Sequence, residues 1–234
     1  MASEIKVLCS TALKTSFDEF APQFERASGH KIAGSFGPTT ELVRRIGEGE
    51  ASDVTIVTVE AVEPLIKQGK LAAGTQVVVA RSGVGLAVRQ GAPRPDISTP
   101  DKFKQAMLAA KSIAMSKPGG GQSGIVLAKA FERLGITDAM RAKATYAAGG
   151  PTGLSGQYVA RGETEFAVQQ ISELMAVPGI DVVGPLPGDL QVMTVFTASV
   201  SASATDAEAA RALIRFLATP AAQAVMKAKG LEPG

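Results

Sequence analysis

Ser35-Phe36-Gly37-Pro38-Thr39-Thr40-Glu41-Leu42 carries the chain from a short strand pattern, Lys31 to Phe36, into a helical one. In the helical part Leu42, Val43 and Ile46 share one apolar face. Between the two patterns lie a glycine, a proline and two threonines. A threonine hydroxyl at a helix start accepts a hydrogen bond from a free backbone N–H. The remaining N–H groups crown the positive end of the helix, where an anion is favoured. One such junction is ordinarily a capped helix and nothing more. Here the arrangement recurs. Ile5 to Cys9 runs into Ser10-Thr11-Ala12. Ile113-Ala114-Met115 runs through Ser116-Lys117-Pro118-Gly119-Gly120-Gly121-Gln122-Ser123-Gly124 into a helix bearing Leu127, Phe131 and Leu134, with Gly135 as its stop. Ala144-Thr145-Tyr146 runs through Gly149-Gly150-Pro151-Thr152-Gly153 into a helix expected to continue toward Arg161-Gly162. The candidate anion site is therefore made of neutral donors at four helix starts: Ser10-Thr11-Ala12, Gly37-Pro38-Thr39-Thr40, Gln122-Ser123 and Gly150 with Thr152. Neutral donors suit an oxyanion that must be released again, because no buried charge pair has to be broken.

Working outward, strands and helices alternate along most of the chain, which argues for an α/β fold. Phe17, Phe20 and Phe24 mark a helix with Pro22 inside it, so a kink or a restart is expected there. Val54 to Val57 is a buried strand, apolar enough for a parallel sheet, and Glu60 to Gln68 is a helix closed by Gly69. Arg81-Ser82-Gly83 separates a strand over Thr75 to Ala80 from one over Val84 to Arg89, and the first crossing between lobes is expected near it. Thr99-Pro100 opens a helix, and Glu165 to Gln170 is a strand ending in two amides, Gln169 and Gln170, which join the candidate site. Val192 to Val200 reads as a strand returning to the first lobe, followed by helices over Asp206 to Leu217 and from Thr219-Pro220 to Gly230. The expected architecture is two α/β lobes, residues 1–82 with 195–234 and residues 83–194, the second inserted in the first. A cleft at such a junction is where small ligands bind, and two crossing strands make a hinge.

The composition excludes several classes. A net charge of +2 over 234 residues, with no run of Lys or Arg, argues against a nucleic-acid surface. The single cysteine, Cys9, and single histidine, His30, leave no internal disulfide and no histidine or multi-cysteine metal site. No apolar run reaches the roughly 20 residues of a membrane span. No cofactor or metal is expected, and the expected state is a monomer. Met1-Ala2-Ser3-Glu4 leads straight into a strand, so the expected location is periplasmic if a leader was removed and cytoplasmic otherwise. Gly119 to Gly124 suggests a phosphate-cradling loop but lacks the Gly-Lys-Ser/Thr ending of a P-loop. A catalytic triad would have to recruit His30, and the candidate acids Asp53, Asp189 and Glu173 are not paired in sequence, so an enzyme is not expected.

The chain resembles the molybdate-binding proteins of ABC importers, within the type II periplasmic binding protein fold. The residues that carry the resemblance are Ile5-Lys6-Val7 leading into Ala12-Leu13, Phe24-Glu25 before Gly29, Ser35-Phe36 with Thr39 and Leu42, Ala51-Ser52-Asp53, the Ser123-Gly124 helix ending at Leu134-Gly135, and the close at Gly230. The resemblance implies a small anionic ligand and an ABC permease as partner. It places one family serine on Ala12, with Ser10 and Thr11 beside it, and a second on Thr39. Two backbone-amide contacts fall near Ser123 and Thr152, and the family tyrosine falls on Gln170. Ala12 removes a donor, and Gln170 presents both a donor and an acceptor. The expectation is weak molybdate binding and tighter binding of a hydroxylated or carboxylate-bearing small molecule.

Overall fold

In the computed structural model, which describes residues 3–234, each strand pattern at the start of the chain closes into a strand–helix pair. β1 (Glu4–Ser10) passes through a 3-10 turn, Thr11–Leu13, into α1 (Lys14–Ser28). β2 (Lys31–Gly37) leads to α2 (Thr39–Gly47), and β3 (Val54–Thr58) to α3 (Val59–Lys67). Pro22 lies on the exposed side of α1, which runs on to Ser28, so the helix does not restart there. The carbonyl that Pro22 leaves without a donor belongs to exposed Asp18, where water can serve it. Gly29 then stops the helix at φ 77°, a left-handed conformation that costs glycine nothing.

β4 (Val77–Ser82) and β5 (Val84–Arg89) are separated by Gly83 alone, a narrower break than Arg81-Ser82-Gly83. α4 (Pro100–Ala109), β6 (Ile113–Ser116), α5 (Gln122–Leu134), α6 (Thr137–Arg141) and β7 (Ala144–Ala147) follow. Next come α7 (Ser155–Ala160), β8 (Phe166–Gln170), α8 (Ile171–Met175) and β9 (Ile180–Pro185). β10 (Thr194–Val200), α9 (Ala207–Leu217), α10 (Pro220–Ala228) and the short β11 (Glu232–Pro233) complete the chain. The structural units are the chain up to Arg81 with Thr194–Gly234, and Ser82–Met193, each boundary one residue before the expected one.

Each unit holds one sheet. The first has strand order β11-β4-β10-β3-β1-β2 and the second β7-β6-β8-β5-β9. Their centres follow the same plan. β1 lies parallel to β2 and β3, with β10 antiparallel to β3. β6 lies parallel to β7 and β8, with β5 antiparallel to β8. In both units the chain steps outward to one neighbour and then crosses back to the other. The reversal leaves a crevice at the carboxyl ends of the central strands, where ligands of open α/β sheets bind.

Burial on both faces of these sheets explains their continuous apolar runs. In the first unit Ile5, Val7 and Cys9 pack with Phe20, Phe24 and Leu213 on one face, while Leu8 packs with Leu42, Val57 and Leu65 on the other. In the second, Leu86, Ile113 and Val168 pack with Phe103, Met107 and Leu127, and the small residues Ala87 and Ala167 take the opposite face against Val159 and Leu174.

Candidate functional site

In the first unit the three parallel strands stop level with one another. Ser10 lies opposite Gly37, and Cys9 opposite both Phe36 and Ile56. The cap of α2 is Pro38, which has no side-chain acceptor, so the expected threonine cap does not form. Thr39 sits one residue too late to reach the N–H groups of its own first turn. Its Oγ1 accepts instead from the Thr58 N–H at the end of β3, at 3.2 Å. That bond commits a lone pair of Thr39 and leaves its hydroxyl proton without an acceptor among the described residues, available to donate. Thr40 is exposed, whereas Ser10, Thr11 and Gly37 are buried. Thr11 Oγ1 has no hydrogen-bond partner among the described residues, a state that buried hydroxyls rarely keep unless something else supplies one. Ala12 is packed in the apolar core. Thr58 belongs with this group; a hydroxyl following the apolar strand Val54 to Val57 was the signal that could have found it.

In the second unit β6 ends at Ser116, whose Oγ lies 2.9 Å from Ser123 Oγ on the first turn of α5. That pairing holds the loop against the helix. A Cβ on Gly124 would lie 2.2 Å from the Lys117 carbonyl oxygen, so only glycine lets the loop pass this close. Gly121, not Ser123, is the helix cap, and Gln122 is the first helical residue. Thr152 departs from expectation altogether: it is exposed in a turn, and α7 begins three residues later at Ser155, with Leu154 as its cap. Gly150, at φ 70°, makes that turn, its carbonyl accepting from the Gly153 N–H at 3.2 Å. The turn lies over the residues expected for it, and the helix begins later than a start at Thr152 would require.

Ser155 takes the place expected for Thr152, but it serves the protein. Its N–H and Oγ donate to Gln169 Oε1 at 2.7 and 2.8 Å, and both residues are buried. The Gln169 amide nitrogen donates in turn to the Glu173 carboxylate, which also accepts the Gln170 backbone N–H. Gln170 caps α8 and Glu173 is its third residue, so the carboxylate closes back on the cap. Both ends of the Gln169 amide are thereby occupied, while Gln170 is buried at the strand end beside it. Glu173 is partly buried, and desolvation pushes its carboxyl up to about 7.

The other titratable candidates are structural. Asp53 accepts from the Lys6 N–H and from the N–H and hydroxyl of Thr205, tying the start of β3 to β1 and to the segment before α9. Asp189 pairs with Arg133 on the surface. His30 Nδ1 accepts from the Ser3 N–H, and its ring stacks on Phe24. Cys9 is buried, and burial holds its thiol well above the usual range. Among the described residues no three His, Cys, Asp or Glu groups are placed to hold a metal ion, and no helix is long and apolar enough to cross a membrane.

Two units of one plan, each ending its parallel strands in buried hydroxyl and amide groups, match a known family. The model of the bacterial extracellular solute-binding proteins covers residues 5–232. The chain belongs to that family. It is 37% identical over 235 residues to an aconitate isomerase of a Pseudomonas species, covering 98% of this chain and 87% of that protein. It is 28% identical over 236 residues to the molybdate-binding protein ModA of Azotobacter vinelandii, covering 98% and 90%. The structure of the periplasmic molybdate-binding protein from Azotobacter vinelandii superimposes with a TM-score of 0.82 at 19% identity, over 98% of this chain and 99% of that one. The fold of this solute-binding protein is thus the two-lobe, type II periplasmic binding fold that its resemblance implies.

Proposed function

We propose that the chain captures a small organic anion carrying more than one carboxylate and delivers it outside the cytoplasmic membrane to an ABC permease. The observation that carries this reading is the matched pair of strand-end edges. Thr11, Thr39 and Thr58 end one, Ser116, Ser123 and Gln170 end the other, and none of these is charged. Neutral donors bind an anion reversibly, because no buried charge pair has to be broken on release. The relative named for an organic tricarboxylate is also more similar to this chain than the one named for molybdate.

A thermal-shift titration with trans-aconitate, citrate, molybdate and sulfate tests the reading, since a ligand of the native state raises the midpoint with its concentration. The expected result is a larger shift with a polycarboxylate than with molybdate. Thr39→Ala should weaken binding about fivefold, the equivalent of one hydrogen bond of about 1 kcal/mol. Tight molybdate binding with no response to any carboxylate defeats the reading. The name of the 37% identical relative favours a second reading, turnover of an unsaturated polycarboxylate rather than capture alone. Proton NMR of cis- or trans-aconitate incubated with the protein separates the two, because only turnover produces the other isomer.

A further inference from the structure

Gln191 is a group that the ligand reading leaves unused. The second unit runs from Ser82 to Met193, so Val84 lies just inside its first end and Gln191 just inside its last. One side chain joins the two. Gln191 Oε1 accepts from the Val84 N–H at 3.0 Å, and Gln191 Nε2 donates to the Val84 carbonyl at 2.8 Å. The topology explains why a side chain is needed there. The Ile171 N–H donates to the Gly83 carbonyl at 2.9 Å. By the alternation of an antiparallel pair, Val84 then turns its own N–H and C=O away from β8, toward β9. β9 ends at Pro185, opposite Gly85, so no residue of β9 faces Val84. Pro185 and Pro187 have no N–H to offer, and Leu186 supplies one bond, to the Val84 carbonyl at 2.9 Å. The Gln191 amide completes the pairing as a strand residue would. Val84 is buried, and a buried N–H left without an acceptor is rare. The glycines on either side of Val84 make room for this. A Cβ on Gly83 would lie 2.6 Å from Gln191 Nε2, and one on Gly85 would lie 2.7 Å from Ile171 Cγ1. A 3-10 turn, Gly188–Leu190, sets Gln191 in place, with Leu190 in the core and Asp189 paired to Arg133.

We propose that Gln191 is a positioning residue of the ligand site: by clasping Val84 it fixes the strand edge that presents Gln170. The inference rests on the anion-binding reading above, in which Gln170 is one of the contacting groups. Val84 and Gln170 are directly opposed across β5 and β8, and theirs is the non-hydrogen-bonded kind of pair, in which side chains stand closest. Both residues are buried. Ile171, the residue after Gln170, hangs from the Gly83 carbonyl. A shift of Val84 therefore disturbs Gln170 both across the pair and along the chain. Gln191 acts through Val84 and not on the ligand. Its chemistry allows a sharp distinction. In Gln191→Glu the clasp is reproduced only when the new carboxyl is protonated, with one O–H donor and one C=O acceptor, as in the amide. The ionised carboxylate has no donor and sets a negative charge against the Val84 carbonyl.

The experiment is isothermal titration calorimetry of trans-aconitate, with molybdate as a second probe, on the intact chain, Gln191→Met and Gln191→Glu. Urea midpoints are measured alongside. Methionine keeps the length of the side chain and removes both bonds. Gln191→Met should bind about fivefold more weakly or worse, the scale of one displaced hydrogen bond at the Gln170 edge. For Gln191→Glu the affinity is taken as a ratio to the native chain at each pH, which cancels ionisation of the ligand and of other groups. That ratio should approach one toward about pH 4.5 and fall about fivefold or more by about pH 8. A lower urea midpoint with unchanged affinity marks a merely structural residue and overturns the proposal, and so does a ratio that is flat with pH. In both cases the native chain still binds, so the anion-binding reading stands. Failure of both probes to bind the native chain overturns that reading and this proposal with it. Amide hydrogen exchange in the free proteins adds a check without ligand. Gln191→Met should exchange Val84 and Ile171 about tenfold faster than the native chain. Native-like exchange at Ile171 overturns the link between the clasp and the Gln170 edge.

Discussion

Replacing Gly124 by alanine puts the close passage of the 117–121 loop to a direct test. The added Cβ would meet the Lys117 carbonyl oxygen at 2.2 Å, its carbon at 3.1 Å and Ser116 Cβ at 3.4 Å. An ordinary carbon–oxygen contact is about 3.3 Å or longer, so the carbonyl must retreat by roughly 1 Å. It is not free to do so, because it accepts the Gly120 N–H at 2.8 Å and belongs to a turn made by Gly119 at φ 74°. Forcing extra volume against fixed backbone costs about 1–3 kcal/mol, and straining that hydrogen bond adds up to about 1 kcal/mol. Alanine's helical preference over glycine returns about 0.5–1 kcal/mol. The expected net effect is a loss of about 1–3 kcal/mol, read as a lower urea midpoint at unchanged m-value. Because the displaced loop carries Ser116 away from Ser123, ligand binding should weaken as well. A variant within about 0.5 kcal/mol of the native chain would show that the loop yields freely and that the glycine is not required by contact.

Gly47 is the contrasting case: it ends α2 with open space where a Cβ would go, so Gly47→Ala should raise stability by about 0.5 kcal/mol in the same urea assay. Glu173 predicts a pH dependence. Its carboxyl is raised to about 7 in the folded chain, so the folded state binds the extra proton between the unfolded value and 7. Stability should therefore be greater at low pH and fall as pH rises through 7, by less than about 3 kcal/mol because the residue is only partly buried. Glu173→Gln should flatten that slope between pH 5.5 and 8, and an unaltered slope would assign the dependence to other groups. Cys9 should resist a water-soluble thiol reagent in the native chain and react only on unfolding, because its buried thiol stays protonated. Rapid native labelling would contradict its placement in the core.

The strand–helix alternation, the paired sheets and the family resemblance were legible from the order of residues alone, because period-2 and period-3.6 patterns and glycine stops are local properties of the chain. Ser10, Thr11, Gly37 and Ser123 could be singled out for the same reason: small polar residues after an apolar run mark the carboxyl end of a parallel strand. What each one bonds was not legible. Thr39 was expected to cap its own helix, but Pro38 took the cap and the Thr39 hydroxyl reached across to Thr58 in a strand 19 residues later. Thr152 had the right composition for a helix start, yet the turn through Gly150 and Gly153 moved the helix to Ser155. Gln169 was expected to face a ligand, and the fold instead spent both ends of its amide on Ser155 and Glu173. Glu173 itself was an acid with no sequence partner. Its raised proton affinity comes from desolvation, which the fold and not the local sequence sets. Hydrogen-bond partners and dielectric surroundings are set by which strands lie side by side, and that pairing is a property of the sheet as a whole.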